Sequence, residues 1–216
     1  MLGQRFLGTY PQMEWVRMTG HEIPFQHAML PTGNGTVEAS PVLLAQSLND
    51  RAMATLDIVR DGDGFRVTDH RCGLMGMKPV KVTGSAFAGF DRDEYTTLAE
   101  RPDRLLFIYL DVFWRYASTN QMLGTNHAHY IPAEQVRDVV LHTFHALVSM
   151  SIQHLIYEMG KNLLNRFPQM SEVSFAAQNR LWDTASVSES NSRIKAYTDP
   201  RPGYGSLGLT LHRDEL

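Results

Sequence analysis

Apolar positions along the chain fall into blocks that alternate between a two-residue and a helical period, and the blocks predict interleaved strands and helices. In 1–10, Leu2, Phe6 and Leu7 can share one helical face and Pro11 follows, so the segment reads as the tail of a helix. Strand entry comes at 14–18 and a turn-rich stretch at 31–35. Segments 52–59 and 65–67 flank Arg60-Asp61-Gly62-Asp63-Gly64, whose Asp-Gly pairs supply the positive backbone angles of a hairpin turn. Strands follow at 78–83 and 105–117, the second carrying the β-favouring cluster Phe107, Ile108, Tyr109, Val112, Phe113, Trp114 and Tyr116.

Helical spacing takes over after Pro132, which suits a first helical turn: Val136, Val139, Val140, Phe144 and Leu147 recur on one face. A second helix spans 152–167, with Ile152, Leu155, Ile156, Met159, Leu163 and Leu164 inward and Pro168 beyond its end. Strands at 173–182 and 207–211 close the pattern. The order from 105 onward is strand, helix, helix, strand, strand, and the upstream half holds a reduced version without its opening strands. An antiparallel sheet with a helix pair layered on one face lets every element bury its apolar side, so the expected class is α+β.

Composition narrows the function classes. With 43% hydrophobic and 20% charged residues the 216-residue chain has a globular profile, enough for one large domain or two small ones. Its 20 basic and 23 acidic residues are interspersed, and a net charge of −3 without a basic stripe excludes nucleic acid as an expected partner. Cys72 is the single cysteine, so no internal disulfide is expected; it reads as a small buried hydrophobe in a reducing, cytoplasmic setting. The first ten residues lack a secretion signal, and apolar runs fall short of the roughly 18–20 residues a membrane helix needs. The terminal Arg213-Asp214-Glu215-Leu216 is similar to a retention signal that has no meaning outside the secretory route. His127 and His129, and His142 and His145, have spacings that could serve a metal only if further ligands converged. They read as loop and helix-surface residues, and no metal site is expected.

The chemistry concentrates in Phe87-Ala88-Gly89-Phe90-Asp91-Arg92-Asp93-Glu94-Tyr95-Thr96-Thr97-Leu98, followed by Asp103-Arg104. This run resembles the signature of the urate oxidase family: an aromatic, glycine, a second aromatic and Arg-Asp, leading into Tyr-Thr-Thr-Leu and then Asp-Arg. Asp111 and Trp114 match further on, as do Ser151-Ile152-Gln153 and Tyr157, and Asn179 lies as far beyond Gln153 as the family's active-site Asn lies beyond its Gln. With an insertion near 121–130, the resemblance covers nearly the whole chain. Taken singly, Phe87 reads as a core aromatic, Arg104 as a surface charge and Gln153 as a polar residue at a helix start. Their joint spacing makes them a constellation. Thr96 and Thr97 read as structural turn residues.

The resemblance implies a tunnelling fold, with 1–97 an incomplete first unit and 98–216 the second. Sheets of several subunits would close a barrel with sites at the interfaces, as a homo-oligomer or with a small amino-terminal-type subunit. Phe87 would stack on a planar heterocycle, Arg104 and Gln153 would grip its edge, Ile152 would offer a backbone group, and Asn179 would act catalytically on dioxygen or water. No cofactor is implied, dioxygen being the co-substrate. Two departures stand out: Leu181 occupies the place of a catalytic His, and the family's Lys and Thr would precede Met1. The expectation is therefore a cofactor-independent oxidase or oxygenase of a urate-like nitrogen heterocycle, diverged from true urate oxidation. The alternatives are a non-catalytic or half-site subunit completed by a second polypeptide, and a urate oxidase with a misplaced start.

Overall fold

The computed structural model describes residues 2–46, 49–203 and 205–216, which form two compact units, Met1–Gly76 and Met77–Leu216. In the first, helix α1 (Leu2–Thr9) precedes strands β1 (Trp15–His21), β2 (Phe25–Pro31), β3 (Val37–Gln46), β4 (Arg51–Asp61) and β5 (Gly64–Met77). β4 pairs antiparallel with β1 and with β5, while β2 and β3 form a separate ribbon. The expected hairpin is present: Asp61 faces Gly64 and Gly62 takes a φ of 57°.

Other features of this unit differ from the sequence pattern. The face of α1 that packs is Gly3 and Leu7, one helical turn apart; Leu2 is 74% exposed and Phe6 is partly exposed. β5 runs far past 67, because Thr68 to Arg71 interrupt the apolar alternation before Cys72 and Leu74 return to the core. Burial raises the Cys72 thiol to about 11, which suits a packing residue and not a nucleophile. β2 and β3 were not anticipated, since most of their side chains are exposed and give no buried alternation. His27 Nδ1 lies 2.7 Å from the Ser40 carbonyl oxygen, binding that ribbon together.

The second unit contains β6 (Val80–Lys81), β7 (Leu106–Tyr116), α2 (Thr119–Leu123), α3 (Ala133–Ala146), α4 (Ile152–Arg166), β8 (Met170–Arg180), β9 (Thr184–Val187), β10 (Lys195–Tyr197) and β11 (Leu207–His212). β7 pairs antiparallel with β6 and β8, and β8 with β11; β9 and β10 form a small ribbon of their own. β7 alternates strictly, burying Leu106, Ile108, Leu110, Val112, Trp114 and Tyr116. α4 packs on β8 and β11 and buries Leu155, Ile156, Met159, Leu163 and Leu164, each such side chain contributing roughly 1.5–3 kcal/mol. Gly160 permits the close approach: a Cβ there would lie 2.6 Å from Leu211 Cδ1 and 3.1 Å from Phe175 Cε2. The unit is the α+β arrangement that the periodicity predicts, and among the described residues no helix is long and apolar enough to cross a membrane.

Both long helices are closed at their carboxyl ends by a cation from elsewhere in the chain. Lys81 Nζ donates to the carbonyls of Phe144, His145 and Leu147 at 2.9–3.0 Å. Arg213 donates to those of Leu164, Phe167 and Met170 at 2.5–2.7 Å, so the first residue of the terminal tetrapeptide serves the fold. Such groups satisfy carbonyls that a helix end leaves unpaired and complement its dipole. Arg213→Met is expected to lower stability by about 1.5–3 kcal/mol, the range for hydrogen bonds to a charged group. An unchanged urea midpoint would show that water serves these carbonyls equally well.

Candidate active site

The second unit holds a cavity of about 540 Å³. One wall comes from the loop before β7, with Phe87, Leu98, Arg101, Asp103 and Arg104; the amino end of α4 adds Ile152 and Gln153. Asn179 at the end of β8 and Leu181 and Trp182 just beyond it form the next wall, continued by Thr184 of β9 and Lys195 and Tyr197 of β10. The five residues that the family resemblance implies, Phe87, Arg104, Ile152, Gln153 and Asn179, thus line one space.

The loop is held by its own polar groups. Phe87 and Arg101 exchange backbone hydrogen bonds of 2.8 Å in each direction, closing the segment between them. Inside it the Thr96 hydroxyl donates to Asp93 Oδ1 and accepts from the Asp93 amide, which agrees with a structural reading of Thr96. That hydroxyl, and then the Tyr95 amide, hold the Asp93 carboxyl below its ordinary range. Asp103 accepts from the Thr83 hydroxyl at 2.6 Å, from the Gly84 amide at 2.7 Å and from the Ser85 amide at 3.4 Å. The Thr83 bond is the largest cause lowering its pKa. Arg104 is fixed beside it by its own amide, which donates to the Ser85 carbonyl at 2.7 Å.

Arg104 points its charge elsewhere. Its Cζ stands 5.2 Å from the centroid of Phe87, which also stacks on Phe90 at 4.4 Å. Among the described residues its Nε, shielded from solvent, has no hydrogen-bond partner. Burial first, and the neighbouring Arg101 charge second, pull its pKa below the ordinary guanidinium value. A partly desolvated cation without a carboxylate is a costly arrangement that an acceptor-bearing ligand would relieve.

Helix α4 begins at the cavity because Ser151 caps it, its Oγ accepting from the His154 amide at 3.1 Å. The first-turn amides of Ile152 and Gln153 therefore lie where a helix has no carbonyl to offer them, at the positive end of its dipole. Ile152 is itself buried and Gln153 exposed. Asn179, paired with Ile108 of β7, continues the strand face that buries Val173, Phe175 and Ala177. Its amide therefore stands where the apolar layer opens into the cavity. Leu181, 40% exposed, lines the same wall and brings no proton-transferring group to it.

Thr184, Lys195 and Tyr197 were not found from sequence, because strands of three or four exposed residues carry no readable period. No group of three His, Cys, Asp or Glu residues able to hold a metal ion occurs among the described residues.

With the folded Asp103 carboxyl below its ordinary value of 3.8, its bonds stabilise the fold fully above that value and fade as pH falls through the lower, folded one. Asp103→Asn is expected to lower the thermal midpoint at neutral pH by an amount that vanishes in strong acid. A gap between the two proteins that stays constant over the acid range would refute the clamp.

Residues 70–204 match the family model described as Uricase. The chain is 42% identical over 212 residues to the uric acid degradation bifunctional protein of Bacillus sp. (strain TB-90), covering 98% of this chain and 42% of that protein. It is 42% identical over 182 residues to the uricase of Haloferax volcanii, covering 84% of this chain and 59% of that one. The crystal structure of a uricase from Bacillus fastidious superposes with a TM-score of 0.89 at 38% identity, over 99% of this chain and 66% of the other. The chain therefore spans less than two thirds of the length of these two curated relatives. On the family match and this structural agreement, the chain belongs to the uricase family and has its tunnelling fold.

Proposed function

We propose that this chain is a uricase-type oxidoreductase that oxidises urate with dioxygen and needs no metal or organic cofactor. The observation that carries the reading is the convergence of Phe87, Arg104, Ile152, Gln153 and Asn179 on one cavity, with the Arg104 guanidinium partly desolvated and its Nε unpartnered among the described residues. Phe87 supplies an aromatic wall for a flat ring. The Arg104 fork and the Gln153 carboxamide match the alternating acceptors and donors along a purine-dione edge, with the Ile152 amide at the same end. Asn179 holds dioxygen or water over the ring. The heterocycle loses two electrons and dioxygen gains them.

The relatives' names, uricase and uric acid degradation protein, favour urate itself over a diverged heterocycle. They lend no support to a non-catalytic half-site subunit. Leu181 then requires that protons move through groups other than the one at its position. We further propose an oligomer in the cytoplasm, formed from copies of this chain or with a small amino-terminal-type subunit, and a repeat boundary at 97/98.

Incubated with urate in air, the full chain should remove the ultraviolet absorbance of urate with a matching uptake of dioxygen; binding with neither change would leave only a heterocycle-binding protein. Arg104→Ala is expected to weaken binding of a purine-dione in calorimetry by about 10- to 100-fold, the equivalent of one or two charge-assisted hydrogen bonds. An unchanged affinity would remove the edge-gripping role.

A further inference from the structure

The cavity wall carries Arg101, Arg104 and Lys195 against a single carboxylate, Asp103, and that carboxylate is engaged by Thr83, Gly84 and Ser85. Lys195 differs from the other two cations in origin, since it is brought in by the β9–β10 ribbon. The ribbon is anchored to the end of β8. The Thr198 amide donates to the Asp183 carbonyl and the Arg201 amide to the Leu181 carbonyl, both at 2.9 Å, and Arg201 forms an ion pair with Asp183. Trp182 has Phe107 at 5.7 Å and Tyr197 at 6.1 Å as ring neighbours.

Lys195 and Tyr197, two residues apart on β10, face Val187 and Thr184 across the ribbon on either side of a register shift. Lys195 and Tyr197 both line the cavity. Asp183 is taken by Arg201, and no side-chain partner for Lys195 is present among the described residues. The ammonium is thus held on an anchored element, at a space whose remaining free charges are also positive. Like charges around one volume raise its potential, and an anion entering it is attracted by all three. A neutral ring fills the same volume without that gain.

We propose that Lys195 is a specificity-determining residue whose ammonium pairs with the ionised form of the heterocycle, selecting the anion over neutral planar analogues. This rests on the heterocycle reading of the cavity. Arg104 reads the edge pattern that anion and neutral ring share, whereas Lys195 reads the charge.

The test is calorimetric titration of the full chain, slightly below neutral pH, with urate as the anionic probe and xanthine as the neutral one. Lys195→Met is expected to weaken urate by about fivefold, the upper end for an exposed charge pair, while leaving xanthine within about twofold. The loss should shrink as salt is raised, and Lys195→Arg should recover most of it. Arg104→Ala should weaken both probes. Equal weakening of urate and xanthine by Lys195→Met, or no weakening of either, overturns the proposal while leaving the heterocycle reading intact. Failure of the unaltered chain to bind either probe overturns both.

Discussion

Asp103 and Arg104 are adjacent and opposite in charge, yet they do not neutralise one another. The carboxylate is spent on the Thr83 hydroxyl and the amides of Gly84 and Ser85, which fixes the chain on both sides of the site loop. The guanidinium is left on the cavity wall beside Phe87, partly desolvated and, among the described residues, with its Nε unpaired. Had the two formed a direct ion pair, the cavity would have lost its principal donor and the loop its anchor. The candidate site depends on this division of roles, because a partly desolvated cation without a carboxylate is relieved when a ligand brings an acceptor.

The scaffold around that pair is stiff for identifiable reasons. β7 and β8 carry the alternation that buries one face of each strand, so Asn179 reaches the cavity at the end of a packed layer and not on a free loop. α4 lies close on β8 and β11 through Gly160, and its Ser151 cap directs the first-turn amides of Ile152 and Gln153 to the same place. Lys81 and Arg213 close the carboxyl ends of the two long helices. Each device satisfies backbone groups that would otherwise be stranded, and together they set the positions from which side chains enter the cavity.

The electrostatics of the cavity give the replacement at Leu181 a context. That wall has an apolar side chain where the family resemblance leads one to expect an imidazole, but the neighbouring ribbon places the hydroxyls of Thr184 and Tyr197 and the ammonium of Lys195 on the same cavity. Polar chemistry is therefore not missing from this side. It is carried by β9 and β10 together with Asn179 at the end of β8.

Much of the fold was legible in the sequence because its elements bury one side. The strict alternation of β7, the helical stripes of α3 and α4, and the Asp-Gly turn between β4 and β5 all follow from local period and backbone preference. The packing face of α1, the length of β5, and the ribbons β2–β3 and β9–β10 did not, since exposed or interrupted strands leave no periodic trace. The sequence by itself determined the α+β class and, through its resemblance to the urate oxidase family, the membership of Phe87, Arg104, Ile152, Gln153 and Asn179 in one constellation. Only the tertiary structure decided that Asp103 serves the loop and that Lys195 joins Arg101 and Arg104 around a single volume. Electrostatic potential depends on distance in space, and residues far apart in the chain share it only after the fold brings them together.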